Sequence, residues 1–141
     1  MSELLNALEA ADKSTGLWQL PPNYEQNRSF KVWIWDAHED DLEEIQHLLC
    51  KFGEFTKIAR LQISKDRELV EELVEEIRRA GYMFDANKVI SALKLDQIDV
   101  YFNKSGSEIS MDFTIQDIKI RSLICIRLNS SGELNSAALE S

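Results

Sequence analysis

Asp36, His38, Asp40 and Asp41 crowd into the run WDAHEDD, and His47 follows nine residues after His38. Imidazoles set among carboxylates are the donors a divalent cation takes. The spacing argues against such a site. Position 42 is Leu, so no HExxH helix forms, and no Asp-x-Asp-x-Gly loop offers a calcium cage. Acids just before a helix also have a simpler task, capping it and complementing its dipole. No metal is therefore expected.

Nucleophilic and phosphate chemistry lack signatures too. No serine sits in GxSxG, and neither Cys50 nor Cys125 lies in a family pattern or a CxxC pair. The five glycines are scattered, and none belongs to GxGxxG or GxxxxGK[ST]. A triad drawn from two histidines, or a carboxylate pair drawn from 25 acids, carries no specificity. The expectation is a non-enzyme without a cofactor. Trp33 and Trp35 share one face of a strand and could stack on bases. A nucleic-acid platform needs interleaved cations, however, and only Lys31 joins that face. Core aromatics are the expected reading, and both cysteines are read as reduced, largely buried thiols.

The distinctive feature is charge. Twenty-five acids against sixteen bases give a net charge of −9 over 141 residues. Such a field repels nucleic-acid phosphates and anionic lipid surfaces, and attracts a basic protein. Glu68, Glu72 and Glu76 are spaced i, i+4, i+8, and Glu71 and Glu75 repeat the step. Each like-charged step costs about a few tenths of a kcal/mol. Arg78 and Arg79 relieve the C-terminal end by pairing with Glu75. Asp40, Asp41, Glu43 and Glu44 add acid to another helix. By contrast Lys119, Arg121 and Arg127 lie in a stretch, 118–128, that holds no acid. Charge is thus segregated, negative on helices and positive on a sheet edge. The acids are either a solvated face or a negative docking patch.

The elements that must position these groups follow from periodicity. Ser2 caps a helix to about Asp12, and residues 13–28 form a loop pinned by Trp18, Leu20 and Tyr24. Phe30 to Asp36 reads as a central strand. A helix starts near Asp40, with Leu42, Ile45, Leu48, Leu49 and Phe52 as its stripe and Gly53 as its left-handed cap. Phe55 to Ile63 reads as a strand, with Ala59, Leu61 and Ile63 on one side. Asp66 opens a helix carrying Leu69, Val70, Leu73, Val74, Ile77 and Ala80, closed by Gly81, and Asp85 caps a shorter one. Ile98, Val100 and Phe102, then Ile109, Met111, Phe113 and Ile115, alternate with polar residues about a Lys104–Ser107 turn. That is a β-hairpin with one buried face. A last strand within Ile118 to Leu128 extends it into a meander. The expected fold is α+β, an antiparallel sheet packed against several amphipathic helices, with one domain over 1–128 and a polar tail over 129–141.

Size, acidity, acidic helices and a β-meander together resemble the small immunity proteins of bacterial contact-dependent inhibition and polymorphic toxin systems. The resemblance is one of overall character and transfers no residue. It implies an inhibitor that binds a basic toxin domain, often a nuclease, with the nine helix acids as candidate contacts. An adaptor or subunit of a cytosolic assembly, pairing through a sheet edge, is the alternative. A small enzyme with a site built from scattered residues is the third. With no basic N-terminal region, no cleavage site and no run of about 18 apolar residues, a cytoplasmic location is expected.

Overall fold

The computed structural model describes residues 17–20, 30–37, 39–103 and 106–140. Six strands form one sheet in sequential order: β1 (Leu17–Leu20), β2 (Lys31–Trp35), β3 (Lys94–Asn103), β4 (Gly106–Thr114), β5 (Leu123–Asn129) and β6 (Leu134–Glu140). β1 and β2 are antiparallel, β2 and β3 are parallel, and β3 through β6 form an antiparallel meander. A parallel pair needs a long crossover. Between β2 and β3 the chain supplies α1 (Leu42–Cys50), α2 (Phe52–Lys65), α3 (Arg67–Arg79) and α4 (Ala86–Ala92). These helices cover one face of the sheet, giving a two-layer α+β fold as expected.

Alternation sets the buried face. Val32 and Ile34, Ile98, Val100 and Phe102, Ile109, Met111 and Phe113, and Ile124, Ile126 and Leu128 join one core with the helix stripes. Their register is firm: Ile98 stands opposite Met111 and Val100 opposite Ile109. A one-residue slip would turn the whole set outward. Each fully buried side chain of this size contributes about 1.5–3 kcal/mol.

The helices end where their signals stand. The Asp66 carboxylate accepts from the Leu69 N–H at 3.1 Å, and the Asp85 carboxylate from the Lys88 N–H at 2.8 Å. Gly81 has φ of 96°, the left-handed region expected after a helix.

Five expectations are corrected. Phe55–Ile63 is not a strand but part of α2. Phe52, Phe55, Ala59 and Ile63 are buried at helical spacing, and Leu61, expected inside, is 55% exposed. The 3.6-residue period including Phe52 outweighs the short alternation. Gly53 accordingly lies within α2, and α1 ends at Cys50 with Lys51 as its C-cap. Residues 134–140 of the expected tail form β6, whose main chain pairs with β5 and whose Ala137 and Leu139 pack on the core. Small side chains hid a strand that main-chain pairing holds in place. Lys119 and Arg121 fall in the β4–β5 connection, and Arg127 lies on β5, which β6 covers. No basic sheet edge exists there. Finally, Cys50 is exposed at the end of α1, whereas Cys125 is buried. The helix expected over 2–12 and most of the loop over 13–28 lie outside the described residues, except that Leu17–Leu20 is β1. No helix among the described residues is long and apolar enough to cross a membrane.

Candidate functional site

The nine candidate acids fall into two groups. Asp40 and Asp41 belong to a short 3-10 turn (Glu39–Asp41), and Glu43 and Glu44 to the first turn of α1, where they complement the helix dipole. Asp41 takes the N-cap position without a side-chain cap bond. Glu44 Oε1 accepts from Ser107 Oγ at 3.1 Å, which ties this group to the β3–β4 end of the sheet.

The second group lies on α3. Glu68, Glu71 and Glu72 are exposed on its N-terminal half. Glu75 pairs with Arg78 at 3.1 Å and Glu76 with Arg79 at 3.0 Å, so the second arginine takes Glu76 rather than Glu75. Glu68 and Glu72 line a groove of about 410 Å³ with Asp66, Leu69 and the β6 residues Ala137, Ala138 and Leu139. Glu71 instead borders a hollow beside Tyr82, Phe84 and Met83, the last 83% exposed. Leu139 stands opposite Ile124, in line with Phe113 and Leu95, whereas Ser107 pairs with Phe102 at the far end. Seven strand residues separate these rows, roughly 20 Å. The structure brings Glu68 and Glu72 to the β6 edge and leaves the α1 acids at the opposite end.

The sequence placed Trp33 and Trp35 on one strand face and read them as core aromatics; that face is turned away from the helices. Trp33 and Trp35 project there, half-buried, with ring centroids 6.4 Å apart, and Trp35 stacks on Tyr101 at 6.0 Å. They are not part of the helix-covered core. Asp99, only 5% exposed, accepts from Trp35 Nε1 at 2.9 Å and from Gln97 Nε2 at 2.9 Å. Farther across, Cys125 Sγ and Ser110 Oγ are 3.1 Å apart. Arg127 lies 3.6 Å from Glu140, and the donor atoms of Asp112, Cys125 and Glu140 cluster within 4.8 Å of one another.

Burial pushes the Asp112 carboxyl above the usual range, a hydrogen bond with Cys125 opposes that, and Asp99 and Glu140 add repulsion. Burial also raises the Cys125 thiol, against hydrogen bonds from Ser110 and Arg127. A thiol held in its protonated form is a poor nucleophile and a poor metal ligand. The Arg127 guanidinium, bonded to Cys125 and beside Glu140, already supplies the cation of this cluster. The arrangement is a part-buried polar network on the sheet face turned away from the helices. The alternating polar positions of β3, β4 and β5 were visible in sequence, but the parallel β2–β3 pairing that joins Trp35 to Asp99 was not.

Comparison with protein-family models, with curated proteins and with solved structures finds no match.

Proposed function

We propose that the chain is a protein-binding module that docks a basic partner on the N-terminal half of α3 and the adjoining edge of β6. One observation carries this reading: Glu68 and Glu72, exposed and without an ion pair among the described residues, line one groove with the outermost strand of the sheet. Among the described residues β6 has no strand on its outer side, and an unpaired strand edge offers main-chain donors and acceptors to an extended segment. Neighbouring carboxylates select lysine or arginine on that segment and steer its approach. In the immunity-type form of this reading, the partner is a basic toxin domain that the chain neutralises in the cytoplasm by direct binding.

The test is co-purification with the product of the adjacent reading frame, where that product carries a basic C-terminal domain. A stoichiometric complex is expected. Its association rate should fall as salt rises, since exposed charges are screened over about 10 Å at 0.1 M. Reversal of Glu68 and Glu72 to lysine should slow association, and reversal of Lys119 and Arg121 should not. Unchanged association in the glutamate variants at low salt would remove the docking site from α3.

The β6 edge also supports a second reading, an assembly subunit that pairs edge to edge. Mass in solution that rises with concentration, and Ala138→Pro abolishing that rise, would favour it.

A further inference from the structure

On another part of the molecule, where α1 gives way to α2, a cavity of about 870 Å³ opens beside the start of β3. Its apolar wall is made by Leu49, Phe52 and Leu95, all buried core residues. Its charged lining is cationic, Lys57 and Arg60, one turn apart on α2, and Lys94 at the first position of β3, with the uncharged Thr56 and Gln116 beside them. No aspartate or glutamate lines it among the described residues. That is unexpected for a chain of net charge −9. Elsewhere Arg78, Arg79 and Arg127 each sit against a glutamate, yet these three cations have no ion pair among the described residues.

Arg60 is held in place. Its Nη1 donates to the Leu93 carbonyl at 3.0 Å, and its guanidinium carbon lies 5.2 Å over the buried Phe113 ring. Both contacts fix the fork while leaving other N–H groups to donate. The volume is that of small-molecule sites, which pair an apolar wall with a few placed polar groups.

We infer that this cavity binds an amphipathic anion, an aliphatic or aromatic body against Leu49, Phe52 and Leu95 with a carboxylate or phosphate head on Arg60, Lys57 and Lys94. The site is separate from the α3–β6 groove, and neither proposal depends on the other.

Calorimetric titration of the full chain with decanoate and with decyl phosphate tests it, with 1-decanol and acetate as single-feature controls. Saturable one-to-one binding of at least one amphipathic anion is expected, about tenfold or more tighter than either control. Which anion binds better assigns the head group. Lys57→Gln with Lys94→Gln should weaken binding about tenfold without changing the circular dichroism spectrum. Gly53→Phe should block it by filling space, because a Cβ at Gly53 meets no heavy atom within 4 Å. The inference fails if neither anion saturates, if decanol binds as tightly, or if the lysine variant binds like the parent.

Discussion

Trp35 of β2 donates its indole N–H to the Asp99 carboxylate of β3 at 2.9 Å, across the single parallel strand pair among the described residues. Trp33, not Trp35, stands opposite Asp99 in register, so the bond runs diagonally and ties two successive rows together. It gives a nearly buried carboxylate one of its few donors. Loss of one partner from a buried pair leaves the other unsatisfied, at about 1–3 kcal/mol. Trp35→Phe and Asp99→Ala should each destabilise by about that amount in urea unfolding. The double variant should cost less than the sum, and strict additivity would show that the bond contributes nothing.

Asp112 sets a pH dependence. Its folded carboxyl is raised above the usual value, chiefly by burial, so the folded state holds this proton more tightly than the unfolded chain does. The contribution is fully present below the unfolded value. It is lost as pH rises from about 4 through the folded value. Asp112→Asn should therefore be relatively more stable than the parent near neutrality and should flatten the loss above pH 4. A stability difference that does not change across that window would refute the assignment.

The two thiols should separate kinetically. Cys50 is exposed, whereas Cys125 is 2% exposed and its thiol is raised by burial. Aromatic disulfide reagents should label one thiol quickly in the native state and the second only on unfolding. Cys50→Ser should remove the fast phase; a surviving fast phase would place Cys125 within solvent reach.

Glycine substitutions should split in sign. Gly53 lies in α2 with open space where a Cβ would stand, so Gly53→Ala should stabilise by about 0.5–1 kcal/mol. Gly132 in the β5–β6 turn has φ of 86°, and its Cβ would meet Ile58 Cδ1 at 3.1 Å. Gly132→Ala should destabilise by about 1 kcal/mol or more. Thermal unfolding of the pair checks both signs.

Local periodicity determined much of this fold. The β3–β4 hairpin, the α3 stripe, the Asp66 and Asp85 caps and the Gly81 stop were legible because each depends on neighbours in sequence. The acids of α3 were legible as an exposed stripe for the same reason. Only tertiary structure decided the rest. Whether residues 55–63 coil or extend depended on Phe52 and Phe55 having a sheet to bury against. Residues 134–140 became a strand because β5 offered an edge to pair with. The same pairing placed Glu68 and Glu72 beside the last strand of the sheet, while the helix-to-sheet packing gathered Lys57, Arg60 and Lys94 around one cavity. Such groupings arise from contacts between distant segments, and no sequence interval encodes them.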